Sequence, residues 1–447
     1  MSAALELCRL GVKATVLERE PRVGGLCGTH EKDGFRFDFG GHRFITQSPS
    51  TDQLVRGLLG GDLLERKRSS VILNGGKRYR YPLELDDVLR QYGPLRGARA
   101  LVSYAAQRLR PARPDRTFAD WVTQRFGKQL YGAFFGPYTG KLWGIPPEQI
   151  SADWAAERIS LPSLSDVLLR LLHVPRPAAR TYARSYLYPR LGIGQIFERC
   201  AERLLHGGGS LETGVEVQGL SVRGSRVRAV QLADGREVPC DAVLSTLSLP
   251  LLARMLGKPS RSADRLRFRA IRLLNAMLDG PPVSPHTWMY VSEPGYVMSR
   301  IQEPLHRSPA MAPSGATSLM LEIPCAVGDA LWTAPDAQLW ERCLGQLHQL
   351  GLRGLRERTR GVFSSYVREG YPIYHLGYKD DREAVLHDVR GIENLVSCGR
   401  QGAFQYIFMD TAMQQGVEAA RALAAGRAAA APQAPGRELY EGKVLTA

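Results

Sequence analysis

Residues 37–44, FDFGGHRF, combine glycine and histidine in a spacing that could bring chemistry to a flat ring. The glycine pair that ends at Gly41 lacks Cβ atoms, so its backbone can approach a planar ring closely. His42 follows at once, and an imidazole can donate, accept or exchange a proton near neutral pH. A lone histidine is more often structural than catalytic, so this segment by itself indicates a ring-binding position only.

Residues 134–144, FFGPYTGKLWG, interleave aromatic and cationic side chains. Aromatic rings can stack on a base or a sugar, and a lysine or arginine can meet a phosphate. The alternative is a helix that packs through its aromatic residues and leaves the lysine at the surface. The side chains concerned are Phe134, Phe135, Tyr138, Lys141 and Trp143, followed further on by Arg158.

The elements that would position these residues begin at the N-terminus. Residues 1–11 (MSAALELCRLG) place apolar residues at helical spacing before a glycine and predict a helix. The following KATVLERE predicts a strand that ends at Glu18, whose carboxylate would meet the ribose hydroxyls of a dinucleotide. Gly24 and Gly25 come next, and their backbone N–H groups can reach a phosphate or a ribityl chain.

The strand and glycine-rich loop that open such a dinucleotide-binding unit do not precede this helix in the sequence. That loop holds a pyrophosphate at the helix N-terminus. We therefore expect Met1 to be an internal methionine, with the natural start roughly 15 residues upstream, the length of one strand and its loop. The alternative is a natural start at Met1, and sequencing the natural N-terminus decides between the two.

Hydrophobic periodicity divides the rest of the chain into predicted helical and strand-rich segments. Residues 50–190 are mostly helical in pattern, residues 214–247 read as a small β-meander, and a helix is predicted near 336–350. NLVSCG and the helix Thr411 to Ala424 repeat the strand–glycine–helix order of the N-terminus. The expected bounds are 1–48, 191–265 and 388–426 for three pieces of a nucleotide-binding domain, 49–190 for a helical cap, 266–387 for a substrate-binding sheet and 427–447 for a mobile tail.

Composition and charge narrow the classes of partner. The chain has 447 residues, of which 44% are hydrophobic and 23% charged, as in an ordinary globular protein, and its formal net charge is +15. The arginines are scattered, without a basic run interleaved with aromatic residues, so nucleic acid is not an expected partner. An anionic small molecule is the favoured partner, and an arginine-rich composition without functional meaning is the alternative.

Cysteine usage and hydropathy bear on the compartment. The seven cysteines form no C-x-x-C pair and their number is odd, which favours buried thiols in a reducing, cytoplasmic compartment over disulfides or a metal site. No apolar run reaches roughly 18 residues, so no transmembrane segment is expected. The basic Leu/Arg segment near residues 95–113 leaves peripheral membrane contact open. The sequence does not define an oligomeric state.

Four motifs spread along the chain carry a family resemblance. They are VGG followed by GGH at 23–25 and 40–42, YTGKLWG at 138–144, RIQEPLH at 300–306 and GRQGAFQYIFMD at 399–410. Together they resemble FAD-dependent flavoproteins of the amine oxidase, protoporphyrinogen oxidase and UDP-galactopyranose mutase superfamily, most of all the mutase. The resemblance implies FAD as cofactor. It also implies an α/β fold, with a Rossmann-like FAD-binding domain, an inserted helical subdomain and a mixed or antiparallel β-sheet substrate domain.

The resemblance implies roles for individual residues. His42 and Arg300 would lie at the flavin as catalytic residues. Tyr138, Trp143 and Tyr406 would face a substrate such as a nucleotide sugar, and Arg158 would hold its diphosphate. The residues expected to bind FAD are Glu18, Arg19, Gly24, Gly25, Gly41, His42, Val217, Gly399, Arg400, Met409 and Asp410.

The chain also departs from the mutase pattern. Leu142 stands where that motif has Gln, and Arg158 lies one residue further along than usual. Ile323 replaces a tyrosine that holds the diphosphate, and Phe408 replaces an acid. Each lost hydrogen bond to a charged group costs about 1.5–3 kcal/mol. We therefore expect weaker binding of UDP-galactose and a site with added apolar surface, reshaped for another ligand.

Three functions follow from these observations. The first is an FAD-dependent oxidoreductase that transfers a hydride between the flavin and a small substrate, sugar- or phosphate-bearing molecules among the candidates. The second is a redox-neutral pyranose–furanose mutase, in which, by resemblance, N5 of reduced flavin attacks the sugar. The third is a non-catalytic, truncated flavoprotein homologue that no longer holds flavin and acts as a partner protein. Ile323 and Phe408 favour the first, whereas the retained tyrosines and arginines favour the second.

Overall fold

The computed structural model describes residues 1–81, 87, 91, 93–111, 113–158 and 185–426. Eighteen β-strands lie between Thr15 and Ser397 in the described residues. They are β1 (Thr15–Glu18), β2 (Thr29–Lys32), β3 (Phe35–Asp38), β4 (Leu63–Lys67), β5 (Ser70–Asn74), β6 (Lys77–Arg80), β7 (Ser185–Pro189), β8 (Ser210–Thr213), β9 (Val217–Arg223), β10 (Arg226–Leu232), β11 (Glu237–Pro239), β12 (Val243–Ser245), β13 (Phe268–Asp279), β14 (Trp288–Val291), β15 (Arg300–Gln302), β16 (Ala316–Cys325), β17 (Thr359–Pro372) and β18 (Leu395–Ser397).

Helices connect and cover these strands, and the longer ones bury one apolar face. In one of them, Gln195–His206, the buried apolar residues recur at helical spacing. The α-helices are Ser2–Arg9, Pro49–Leu59, Pro94–Arg108, Phe118–Leu130, Gly136–Trp143, Ala152–Arg158, Gln195–His206, Leu249–Met255, Arg261–Arg265, Ala330–Thr333, Asp336–Gln349, Leu355–Arg358, Tyr378–Arg390, Gly399–Gly402 and Met409–Ala424.

Two parallel strand pairs join distant parts of the chain. β1 pairs with β8, and β12 pairs with β18. The helix Ser2–Arg9 packs on the helix Met409–Ala424, where the Ser2 hydroxyl donates to the carbonyl of Met413 at 3.0 Å. The predicted N-terminal helix, the strand that ends at Glu18 and the C-terminal helix are therefore confirmed.

A seven-stranded, mainly antiparallel sheet forms the largest layer, in the order β17-β13-β16-β15-β14-β5-β6. Successive residues of a strand point to opposite faces of a sheet. In β16, Leu321 and Ile323 face a core covered by the helix Asp336–Gln349. Met320 packs in a different core with the hairpin of β2 and β3, and Glu322 shares the Met320 face. This alternation decides which residues of β16 can reach a site on the hairpin side.

The stretch 50–190 contains more strand than its pattern predicted. Residues 63–80 form β4, β5 and β6 instead of helix. A short apolar run such as SVILN in β5 cannot be assigned to helix or strand by periodicity alone. It becomes a strand because it pairs in parallel with β14, which lies far along the chain.

The helical part of this stretch positions the aromatic segment. The helix Phe118–Leu130 begins at a capping box: the Thr117 hydroxyl accepts from the backbone N–H of Asp120 at 3.0 Å, and the Asp120 carboxylate accepts from the N–H of Thr117 at 3.1 Å. A π-helical turn, Tyr131–Phe135, continues it into the helix Gly136–Trp143. Gly144, at a φ of 69°, ends that helix.

Some sequence-based expectations fall outside these ranges. The tail at 427–447 and the cap residues 159–184 are not among the described residues. Within the ranges that are described, no helix is long and apolar enough to cross a bilayer. The helix Pro94–Arg108 exposes Leu95 and Val102, and peripheral membrane contact through it stays a prediction. All seven cysteines are free thiols; four of them are buried as predicted, whereas Cys8, Cys27 and Cys240 are partly exposed.

Candidate active site

A cavity of about 800 Å³ is lined by residues of the two parallel strand pairs and by residues of the seven-stranded sheet. Its backbone-rich side consists of residues 16–19, 23–27, 215–217, 398–401 and 409 with 412, 413 and 416. Its aromatic side consists of Ile72, Tyr81, Phe134, Phe135, Tyr138, Trp288 and Tyr290. Gly41, His42, Arg300, Tyr371 and Tyr406 also line it. Segments far apart in sequence therefore meet around one space.

The backbone-rich side begins where β1 ends. One carboxylate oxygen of Glu18, Oε1, accepts from the N–H of Glu20 at 2.9 Å. Gly24 and Gly25 have φ angles of 106° and 53°, values that favour glycine. A Cβ placed on Gly25 would meet nothing within 4 Å, so open space adjoins this backbone. A ligand can approach the main chain here without meeting a side chain.

The segment 399–410 closes the same side. The Gly399 N–H donates to Gln415 Oε1 at 3.0 Å. The Arg400 guanidinium donates to the carbonyl of Ile407 at 2.6 Å and lies 4.8 Å from the ring centre of Tyr406. In the described part of the chain, no side chain caps the helix that starts at Met409. Its first N–H groups and the positive end of its dipole therefore suit electronegative ligand atoms.

Arg300 packs directly against the glycine pair, because a Cβ on Gly41 would overlap its guanidinium. Nη2 of Arg300 lies 3.0 Å from Oε2 of Glu322, and the guanidinium lies 5.4 Å from the ring centre of Tyr290. Burial is the largest single effect and lowers the pKa of Arg300, but the charge of Glu322 and the nearby phenols together hold that pKa well above its usual value. Arg300 is thus a permanently charged group fixed against a close-approach backbone.

His42 is held neutral. Its Nε2 lies 3.2 Å from the carbonyl oxygen of Phe39, an acceptor, so Nε2 carries the proton and donates. Burial is the main cause that lowers its pKa to about 4; the charge of Asp38 opposes this, and that of Arg400 adds to it. At pH 7 this imidazole is therefore a hydrogen-bonding group rather than a charged one.

Phenols concentrate around Arg300. The rings of Tyr138 and Tyr290 lie 6.2 Å apart, those of Tyr81 and Tyr290 4.5 Å, and those of Tyr371 and Tyr406 5.1 Å. Burial is the main cause that raises the pKa of Tyr138 and Tyr371, so both remain neutral donors at ordinary pH. Sequence reasoning missed Tyr81, Tyr290 and Tyr371, which belong to none of its motifs and meet only through strand pairing.

Most residues proposed from the sequence lie on the cavity, but not all do. Trp143 is 1% exposed and packs 5.2 Å from Trp154 and 6.1 Å from Tyr406, ring centre to ring centre. It does not line the cavity, because its side chain packs in a core with residues of the helices Phe118–Leu130 and Ala152–Arg158. Arg158 ends the helix Ala152–Arg158, and its side chain lies outside the described part of the structure.

Asp410 and Ile323 also differ from expectation. Asp410 is buried and faces a small separate cavity beside Arg43 and Phe44. Ile323 is fully buried in the core under the helix Asp336–Gln349, so the expectation that it adds apolar surface to the site is wrong. Phe408 does line the main cavity.

Lys141 takes neither of the positions considered for it. Its ammonium group donates to the carbonyls of Val291 at 3.0 Å and Glu293 at 2.9 Å. Burial lowers its pKa to about 7. It ties the helix Gly136–Trp143 to the end of β14, which brings Tyr138 next to Tyr290.

The sequence as a whole decides the family. The family model of flavin containing amine oxidoreductases matches residues 1–424. The chain belongs to this family. FAD is the cofactor of this flavin amine oxidoreductase, and the protein is an FAD-dependent oxidoreductase in the general sense.

The alignments with curated relatives and solved structures cover most of this chain. Phytoene dehydrogenase of Streptomyces griseus is 24% identical over 410 residues, 79% of this chain and 77% of the relative. Coproporphyrinogen III oxidase of Propionibacterium freudenreichii subsp. freudenreichii is 23% identical over 449 residues, 86% and 81%. A crystal structure of reduced UDP-galactopyranose mutase superposes with a TM-score of 0.82 at 23% identity, covering 94% of this chain and 92% of that one.

Putrescine oxidase bound to putrescine is a further structural neighbour of this flavin amine oxidoreductase, with a TM-score of 0.61 at 18% identity, covering 95% and 96% of the two chains. These likenesses confirm the α/β Rossmann-like flavoprotein fold. The family model over residues 1–424 confirms the superfamily inferred from the four motifs.

Proposed function

We propose that this flavin amine oxidoreductase oxidises a small substrate held on the aromatic side of the cavity. The observation that carries the proposal is the continuity of one cavity from Glu18 and Gly25 to Arg300 and Tyr138. When bound, FAD supplies the two-electron chemistry: a substrate carbon gives up a hydride to it, and the substrate loses one further proton.

The backbone-rich side has the features that FAD needs. The Glu18 carboxylate stands at the end of β1, where ribose hydroxyls bind in dinucleotide folds. Open space beside Gly25 and the uncapped helix start at Met409 suit a close-packed anionic ligand. The residues that we assign to the cofactor are Glu18, Arg19, Gly24, Gly25, Gly41, His42, Val217, Gly399, Arg400 and Met409. Asp410 is left out because it faces the neighbouring cavity.

The aromatic side would orient the substrate and exclude water. Apolar walls at Phe134 and Phe135 keep the reacting carbon in a low-dielectric environment, which strengthens every polar contact. Arg300, fixed by Glu322, presents a permanent positive charge that would stabilise the negative charge that FAD gains when it accepts a hydride. Neutral phenols such as Tyr138 donate hydrogen bonds without adding charge.

A redox-neutral mutase is the second candidate. It is favoured by the likeness to UDP-galactopyranose mutase and by the presence of Arg300, Tyr138 and Tyr406 on the cavity wall. Phe408 on that wall weighs against it, since the mutase pattern has an acid there. The oxidoreductase is therefore the better-supported function.

Anaerobic mixing separates these functions. The purified protein, loaded with FAD, is mixed with phytoene, coproporphyrinogen III, putrescine or UDP-galactopyranose while its visible flavin absorption is followed. Bleaching by a substrate without added reductant supports the oxidoreductase. Turnover of UDP-galactopyranose only after chemical reduction, with no acceptor consumed, supports the mutase instead. A protein that neither carries nor takes up FAD would overturn both and leave the non-catalytic homologue.

A further inference from the structure

Arg43 occupies a fixed position on the cavity wall that neither proposed function uses. Its neighbour Phe44 is clamped to Leu187 by two backbone hydrogen bonds, from the Phe44 N–H at 2.9 Å and from the Leu187 N–H at 3.0 Å. On its other side stands His42, bonded to Phe39. The backbone therefore holds the Arg43 side chain against the cavity, which it lines.

Two further arginines, Arg68 and Arg307, lie near the aromatic ring that Arg43 approaches. The guanidinium carbons of Arg43, Arg68 and Arg307 lie 5.8, 5.6 and 5.8 Å from the ring centre of Trp288. Of the buried carboxylates in this part of the fold, Asp38 accepts from Tyr188 and Glu322 pairs with Arg300. Asp410 lines the small neighbouring cavity that Arg43 also lines. Of the three arginines, Arg43 is the one that lines the large cavity, together with Tyr81, Tyr290 and Trp288.

Arg43 is the cation whose charge is not balanced. It forms no hydrogen bond or ion pair with any residue in the described ranges, and its guanidinium lies 5.8 Å from the ring centre of Trp288. Burial, assisted by the charge of Arg68, lowers its pKa to about 10, so it stays protonated at neutral pH. A half-buried charge without a counter-ion is unfavourable, and a ligand anion would relieve that cost.

We propose that Arg43 binds an oxyanion of the substrate, a carboxylate or a phosphate, in the corner formed by Tyr81, Tyr290 and Trp288. The inference rests on the proposed function, because it assigns an anionic group to the substrate of that same cavity. A guanidinium offers two parallel N–H donors that match either oxyanion. The two tyrosine rings, 4.5 Å apart, form the adjacent wall. Arg300 is less suited to this task, because Glu322 already balances its charge.

The test measures anion binding to the FAD-loaded protein by calorimetry, with benzoate and inorganic phosphate as probes. Wild type is compared with Arg43→Gln, with Arg43→Lys and with the control Arg223→Gln. Arg223 is an exposed arginine at the end of β9, so its replacement changes net charge equally but outside the cavity. The flavin spectrum of each sample establishes equal cofactor content.

We expect wild type and Arg223→Gln to bind at least one probe alike, and Arg43→Gln to bind it about tenfold or more weakly, the size of a lost charged hydrogen bond. Arg43→Lys keeps the charge but loses the paired donors, so its affinity falls in between. The probe that responds tells carboxylate from phosphate. No binding by wild type, or equal binding by the Arg43 variants, overturns the inference.

If Arg43→Gln does not fold, Arg43→Lys carries the test, and an unchanged affinity in that variant overturns the inference. Failure of the proposed function has a different signature, which is an FAD-loaded protein that no substrate bleaches. Anion binding that depends on Arg43 in such a protein would preserve this inference while the oxidoreductase proposal fell.

Discussion

Arg300 and Glu322 form a buried ion pair across adjacent antiparallel strands, with Nη2 3.0 Å from Oε2 and side chains only 15% and 2% exposed. The two residues are direct partners in the register of β15 and β16. Gln302 donates to the other carboxylate oxygen. The pair fixes the guanidinium against Gly41, so the arginine position depends on strand register as much as on side-chain chemistry.

Removing the carboxylate should destabilise the fold. Glu322→Gln leaves Arg300 as a buried charge without its counter-ion, which costs roughly 3–5 kcal/mol of unfolding free energy. Denaturant unfolding measures the change. Asp52→Asn is the control, because it breaks an exposed ion pair with Arg56 and should cost about 1 kcal/mol or less. Equal losses in the two variants would contradict a buried pair.

A methyl group on the glycine pair should displace Arg300. In Gly41→Ala the new Cβ overlaps the guanidinium, so the arginine must move. We expect turnover per bound flavin to fall roughly a hundredfold, the usual effect of misplacing a catalytic group by about 1 Å. Because Gly41 is also assigned to the cofactor, the flavin content of each sample is measured and used to normalise the rate. Gly57→Ala, in a helix where a Cβ meets nothing within 4 Å, is the control. Full activity in Gly41→Ala would remove Arg300 from the reaction.

Tyr406 should distinguish phosphate-bearing ligands from others. Tyr406→Phe keeps the ring that packs 5.1 Å from Tyr371 but removes the hydroxyl. If that hydroxyl donates to a diphosphate, affinity for UDP falls about tenfold, while affinity for uridine is unchanged. Calorimetry on both ligands measures this. Tyr366→Phe, at an exposed position, is the control. An equal loss for UDP and uridine would argue against a phosphate contact.

His42 should make stability depend on pH. Burial lowers its pKa to about 4, whereas the unfolded chain titrates near 6.5, so between these values the unfolded state binds more protons. Stability therefore falls as the pH drops through this window, by about 2 kcal/mol between about pH 7 and about pH 5. His42→Gln lacks this contribution. Urea unfolding of both proteins at the two pH values measures the difference, and parallel losses would show that His42 is not its source.

Elements with local signals could be predicted from the sequence. The helix Ser2–Arg9, the strand ending at Glu18 and the helix Met409–Ala424 follow from apolar spacing and from glycines at their ends. The glycine pairs and His42 could be identified for the same reason, because each belongs to a motif of consecutive residues. Gly24 and His42 both line the cavity.

Residues whose role depends on a partner strand could not be predicted. The tripeptide Glu322-Ile323-Pro324 shows which residues alternate, but not which face meets the cavity. That is decided by what covers each side of the seven-stranded sheet, and the helix Asp336–Gln349 takes the side of Ile323. The burial of Trp143 could not be predicted either, because residues that cover it, such as Tyr371 of β17, lie far along the chain.

The sequence by itself determined the family, the cofactor and the local elements that approach it. Only the tertiary structure decided that Arg43, Tyr81 and Tyr290 share a corner of the cavity, because β5 and β14 must pair before they meet. Local hydrogen bonding and side-chain periodicity act over a few residues and can be read along the chain. Burial and charge balance depend on every segment that packs against a group, so they exist only once the chain has folded.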